Sequence, residues 1–225
     1  MNFNMTRPIP TRLFHMTAID NLESILNQKA LICKNQCRKN GISYGNIAHA
    51  SIQDRRCQKI VPLPPHGTLH DYVPFYFAPR SPMLYAINQG NVEGCEYRQE
   101  NIIYLQTTVE RMVQLEKVYL FTDRNASLDF ALFEKDYEKL NETIHWDYFT
   151  SSPQLDGYCK YFMTNSEYPD RGEIRQAEFL IHTSLPLEHI ELIGVYDESS
   201  LEIVKTLLKA YDLDIPVSIK SSWYF

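Results

Sequence analysis

Residues 11–17 (TRLFHMT) alternate in character around Leu13, which predicts a short strand. Ile19, Leu22, Ile25 and Leu26 then recur at helical spacing, and Asp20 followed by Glu23 predicts a capping-box-like helix start. Residues 34–56 are polar and contain Gly41 and Gly45, so they read as a long loop with one helical turn over 47–55. Residues 61–67 read as loop, because Pro62, Pro64 and Pro65 remove ladder donors. Residues 72–77 and 102–108 are rich in β-branched and aromatic side chains and predict two strands. A helix over 81–89 lies between them, with Ser81 as cap and Pro82 at the first helical position. Residues 128–140 carry a helical pattern, 177–183 and 190–196 predict strands, and 202–211 predicts a last amphipathic helix. Strands of the second half follow one another closely, so the expected class is α+β with a mixed or antiparallel sheet. With no repeat, low-complexity tract or linker, residues 1–225 are expected to form one domain.

Composition narrows the function more than the fold. A formal net charge of −6 argues against a bulk polyanion binder but leaves room for a local basic cleft. No dinucleotide-binding glycine fingerprint and no phosphate-binding P-loop can be drawn among the 8 glycines. No long apolar run and no secretory signal is present, so a cytoplasmic protein without a membrane partner is expected. Cys33, Cys37, Cys57, Cys95 and Cys159 are an odd, irregularly spaced set, as expected of reduced thiols. Cys33, Cys37 and Cys57 with His49 match no standard zinc spacing, so no metal is expected.

Several positions could carry chemistry. Gln176, Glu178 and Leu180 share one strand face, so Glu178 is either a solvated strand carboxylate or a fixed group in a cleft. His15 and Thr17 also share a face. They are either satisfied in the core or present a donor and acceptor to a ribose or carboxamide. In the aromatic segment 72–86, Tyr76, Arg80, Met83 and Tyr85 could stack a planar ring and pair with a phosphate, or pack in the core. Arg55 and Arg56 close the polar loop, either as a solvated pair or within reach of a nucleotide.

Taken together, His15, Tyr76 and Glu178 stand in the His-Tyr-Glu order of ADP-ribosyltransferases. More closely, FHMTAIDNLESIL, IQDRR, TLHDYVPFYFAPRSPMLYA, FTDRNA and QAEFLI resemble the DarT family of DNA ADP-ribosyltransferase toxins, from Pro10 to Phe225. The resemblance implies an ADP-ribosyltransferase-like fold and transfer of ADP-ribose from NAD⁺ to thymine in single-stranded DNA, with no metal. It implies that His15, Thr17 and Ser24 bind NAD⁺, with Tyr76 and Tyr85 flanking the nicotinamide and Met83 beside them. Glu178 would be the catalytic carboxylate, and Arg56 would hold NAD⁺ and assist deprotonation of the base. Residues 34–57 would cover NAD⁺, and 123–178 would form the substrate-loop region. Arg55, Arg80 and Arg124 would meet DNA phosphates, and the partner would be a macrodomain antitoxin. Before Glu178 the stretch NSEYPDRGEI looks longer than the family pattern. Two other readings are a transferase acting on protein or a small molecule, and a silent NAD or nucleic-acid binding module.

Overall fold

The computed structural model describes residues 7–225. The early alternating segment is β1 (Arg12–Ala18), which passes through a 3₁₀ turn into α1 (Leu22–Gln28). Next come β2 (Ala30–Ile32), α2 (Lys34–Lys39), α3 (Ala50–Gln58) and β3 (Tyr72–Tyr76). They are followed by α4 (Pro82–Asn88), β4 (Ile102–Thr108), α5 (Val109–Gln114) and β5 (Tyr119–Thr122). Short pieces then run through β6 (Phe133–Glu134), α6 (Leu140–Thr143), α7 (Trp146–Thr150), β7 (Gln154–Leu155), β8 (Tyr158–Cys159) and α8 (Arg171–Ile174). The chain ends with β9 (Glu178–His182), β10 (Ser184–Pro186), β11 (Leu192–Val195), α9 (Glu198–Ala210) and β12 (Val217–Ile219).

Eight strands join one sheet in the order β12-β11-β4-β1-β3-β9-β5-β6, and two small ribbons, β2-β10 and β7-β8, stand beside it. Only β11 and β12 are parallel; every other neighbouring pair with a resolved register runs antiparallel. The class is therefore the expected α+β, with a mixed sheet.

The sheet is weakest at its middle, and a proline explains why. β1 pairs with β4 along its whole length, yet it meets β3 only at Phe14 opposite Tyr76. In an antiparallel strand a residue's N–H and C=O point to the same side. The Pro74 carbonyl faces β1, where it accepts from His15 Nδ1 at 2.8 Å, so its missing N–H falls on that same side. The ladder cannot continue there, and the two strands part. Tyr76 is in turn opposite Glu178 on β9, so the parting opens next to the carboxylate.

The core around this gap is aromatic. Phe14 meets Tyr104, Tyr158 and Trp223 edge-on, and Phe77 does the same with Trp146, Phe149 and Phe179. β9 is buried on both faces: Phe179 and Ile181 join the main core, while Leu180 joins a smaller cluster with Val61, Leu69, Tyr72 and Leu120. Glu178 thus opens a strand that has no wet side.

Four elements differ from expectation. Residues 128–136 form no helix, because Asp123 Oδ1 accepts from the Leu132 N–H at 2.9 Å and Phe133 and Glu134 add to the sheet edge as β6; only the end of the expected segment turns, as a 3₁₀ turn over Tyr137–Lys139 that leads into α6. Here tertiary pairing overrides local pattern. The polar stretch 34–56 carries two helices, α2 and part of α3, rather than one turn. The capping box at Asp20 and Glu23 does not form; Asp20 instead accepts from the Tyr97 hydroxyl at 3.1 Å. The last helix starts four residues earlier than expected, at Glu198, because the Asp197 carboxylate caps it through the Ser200 N–H at 2.9 Å. Ser81 does cap α4, accepting from Leu84 N–H at 3.2 Å with Pro82 next to it.

Candidate active site

The parting of β1 and β3 opens into a cavity of about 430 Å³, within the roughly 300–1,000 Å³ typical of small-molecule sites. β1 supplies His15 and Thr17, α1 supplies Ser24, and α3 supplies Arg56. β3 supplies Tyr76, α4 supplies Met83, and β9 supplies Glu178. Much of the remaining wall is the 34–56 segment, including Lys34, Tyr44 and Gln53. No helix among the described residues is long and apolar enough to cross a membrane. Among the same residues, no three His, Cys, Asp or Glu side chains are grouped to hold a metal ion.

The floor of the cavity is an ion pair. Arg56 donates through both terminal nitrogens to Glu178, at 2.8 Å to Oε1 and 2.9 Å to Oε2. Only 1% of Glu178 is exposed. Burying one such carboxylate costs several kcal/mol. Hydrogen bonds to a charged group return about 1.5–3 kcal/mol each, and Glu178 accepts three. The third comes from the Ala126 N–H at 3.1 Å, and Thr122 Oγ1 accepts from the Glu178 N–H at 3.2 Å. Burial works against the Arg56 charge, but Glu178, by charge and hydrogen bonding, more than offsets it and holds its pKa above the ordinary value. Arg56 is therefore a permanent cation and cannot act as a base.

His15 has a defined tautomer. Its Nδ1 must donate to the Pro74 carbonyl, which can only accept, and Nε2 is left as an acceptor. Burial lowers its pKa, against the pull of that bond, so the ring is neutral. Thr17 Oγ1 accepts from Asn21 Nδ2 at 3.0 Å. Burial, then the nearby Glu178 charge, pushes the Tyr76 hydroxyl far up, so it stays protonated; its contact is the Met83 sulfur at 3.6 Å.

The structure gathers His15, Thr17, Ser24, Arg56, Tyr76, Met83 and Glu178, while the remaining expected residues lie elsewhere. Tyr85 packs on Phe162 and Phe225, with ring centres 5.3 Å away in both cases. Arg80 donates to the Tyr224 carbonyl and lies 4.1 Å over the Phe225 ring. Arg55 is exposed on α3. Arg124 pairs with Asp123 at 2.9 Å and Glu173 at 3.5 Å, on the loop whose Ala126 N–H reaches Glu178. Gln176, expected to share the cleft with Glu178, is in the wall but tied between Asn125 and the Gly172 carbonyl.

Four wall residues escaped the sequence analysis. Asn21 grips Gly45 at both backbone atoms, accepting from its N–H at 2.6 Å and donating to its carbonyl at 2.9 Å. Gln53 Oε1 accepts from Lys34 Nζ at 2.6 Å and from His70 Nε2 at 3.1 Å. Gln53 stands three residues before Arg56, so reading a full helix there would have put both on one face. Lys34 and His70 carried no such signal.

With this geometry in place, comparison decides the family. A family model described as "ssDNA thymidine ADP-ribosyltransferase, DarT" matches residues 14–225. The chain belongs to the DarT family. It is 39% identical over 224 residues to the DNA ADP-ribosyl transferase of Thermus sp. (strain 2.9), covering 98% of this chain and 99% of that protein. It superposes on the solved structure of Thermus sp. 2.9 DarT in complex with ADP-ribosylated ssDNA, with a TM-score of 0.86, 38% identity, and coverage of 98% and 99%. The structure of the same DarT in complex with NAD⁺ matches with a TM-score of 0.81 and 35% identity, covering 98% of this chain and 100% of that one. The fold of this chain is thus the DarT ADP-ribosyltransferase fold, with a gap in the sheet where the cavity lies.

Proposed function

We propose that this DarT chain transfers ADP-ribose from NAD⁺ to a thymine ring nitrogen in single-stranded DNA, with Glu178 and Arg56 as its catalytic pair. The bidentate Arg56–Glu178 contact on the cavity floor, next to Tyr76, is the observation that carries this reading. The bond from ribose to nicotinamide breaks with its electron pair leaving on nicotinamide, and positive charge develops on the ribose. A fixed carboxylate in a dry site favours that state, and Glu178 is held by three hydrogen bonds where it could do so. The thymine nitrogen bonds to the ribose carbon as its proton passes to solvent. Arg56 cannot take that proton, and its part is to stabilise the deprotonated base. His15 Nε2 would offer an acceptor to a ribose hydroxyl, and Thr17 and Ser24 line the same cavity. Tyr76 and Met83 would bracket the nicotinamide. Single-stranded substrate spares the cost of unstacking the target base.

Arg55 and Arg124 would meet DNA phosphates near the mouth, and residues 34–57 would close over NAD⁺. All five cysteines are free thiols, which suits the reducing cytoplasm. We assign the chain the role of toxin in a toxin–antitoxin pair with a macrodomain partner, on the family resemblance.

The test incubates the purified protein with NAD⁺ and short oligonucleotides, followed by mass spectrometry. One ADP-ribose should appear on thymine-containing single strands, not on duplex, and Glu178→Ala should lower the rate by at least about a hundredfold. NAD⁺ consumed without a DNA adduct would overturn the assignment of DNA as acceptor.

A further inference from the structure

The charges lining the cavity do not balance. Among the described residues its wall holds two cations, Lys34 and Arg56, and one carboxylate, Glu178. Arg56 gives both terminal nitrogens to both Glu178 oxygens, so that charge is answered. Lys34 has no carboxylate partner among the described ion pairs. Its ammonium has two polar neighbours, the Gln53 side-chain oxygen at 2.6 Å and the face of the Tyr44 ring at 5.3 Å. Gln53 supplies a dipole and no counter-charge, and it shares that oxygen with His70. Asp71, on the 3₁₀ turn Leu69–Asp71 that precedes β3, is spent on Asn35 and Thr68. A half-buried ammonium without an anion is costly unless a ligand brings one.

The geometry points to Lys34 as the residue that holds the pyrophosphate of NAD⁺, leaving Arg56 to the reacting ribose and base. This rests on the NAD⁺ reading above and assigns one part of the ligand to one side chain. A compact ammonium suits a phosphate oxygen as a point charge. Gln53 links the two cations: it sits on the same helix face as Arg56 and holds Lys34 at its oxygen. The groups that face Lys34 are Cys37 and Arg38 from α2, Arg56 and Cys57 from α3, Tyr44 from the loop, and His70 from the 3₁₀ turn. Burial, then Arg38 and Arg56, lower its pKa to about 8. Above that pH the unliganded ammonium loses its charge, so affinity for a phosphate ligand should fall with rising pH.

Calorimetric titration of NAD⁺, ADP-ribose and adenosine into wild type, Lys34→Met and Lys34→Arg decides it, with melting curves to check folding. Lys34→Met should weaken ADP-ribose binding about tenfold or more and leave adenosine binding unchanged. Lys34→Arg should bind ADP-ribose within about threefold of wild type and should lose the decline above pH 8. Unchanged ADP-ribose affinity in Lys34→Met overturns the assignment. An equal loss for adenosine overturns it too, since Lys34 would then shape the cavity and touch no phosphate. Wild type that binds neither NAD⁺ nor ADP-ribose would instead overturn the NAD⁺ reading itself.

Discussion

At the scale of single residues, the site depends on holding some groups charged and others neutral within one small space. Arg56 keeps its charge against burial because Glu178 answers it through two hydrogen bonds. His15 and His70 stay neutral because burial disfavours their cations, and His70 also stands near Lys34, Arg38 and Arg56. Those causes bring the His70 pKa from 6.5 down to about 4. The unfolded chain regains a histidine near 6.5, so between pH 6.5 and about 4 it binds a proton that the folded chain refuses. Stability should therefore decline on acidification through that window and be fully present above it. Melting temperatures from pH 4 to 8 would measure this, and His70→Gln should flatten the acid limb. An acid limb equally steep in His70→Gln would assign the effect to other groups.

Among the elements, the segment over the cavity is the least self-sufficient. α2 and α3 bury no side chain fully, so they are held by a few polar ties instead of by an apolar face. Asn21 at the head of α1 is the central tie, because it closes both backbone atoms of Gly45 and also reaches Thr17. A Cβ at Gly45 would overlap the Tyr97 hydroxyl and push that ring aside. Asn21→Ala should cost about 1–3 kcal/mol in urea unfolding, since it leaves the half-buried N–H and carbonyl of Gly45 unmet. It should also raise KM for NAD⁺ more than it lowers kcat and speed proteolysis within 34–57. Wild-type proteolysis rates would show that Asn21 does not hold the segment.

For the molecule as a whole, the C-terminal residues fill the back of the sheet and tie its halves together. Trp223 is fully buried against Phe14 and Tyr104, and the space it occupies exists because residue 194 is glycine; a Cβ there would overlap its ring. Its indole N–H donates to Asp156 at 2.7 Å, and Asp156 also pairs with Arg12 at 2.8 Å. One side chain thus links β11, β1 and the β7-β8 ribbon. Trp223→Ala should destabilise the fold by about 3–5 kcal/mol in urea unfolding, through lost burial and the cavity left behind. A loss under about 1 kcal/mol would mean that the core collapses around the gap.

What the chain revealed by itself were features that depend on near neighbours in sequence. The strand expected around Leu13, the Ser81-Pro82 helix start and the apolar spacing of α9 are local, and all three elements appear in the fold. The motifs around His15, Arg56, Tyr76 and Glu178 also marked the family, because runs that long rarely coincide by chance. What only the tertiary structure decided depends on partners far away in sequence. Most of the expected 128–140 helix lost to sheet pairing around Asp123, and the polar 34–56 stretch forms helices that are tied by Lys34 to Gln53 and by Gly45 to Asn21. Tyr85 and Arg80 looked like site residues from their spacing, yet they are drawn to Phe162, Tyr224 and Phe225, which fold back beside α4. Lys34, Gln53 and His70 meet across segments that no periodicity connects. Hydrophobic pattern reports which side of an element is buried, but which charge meets which partner is settled only when the elements pack.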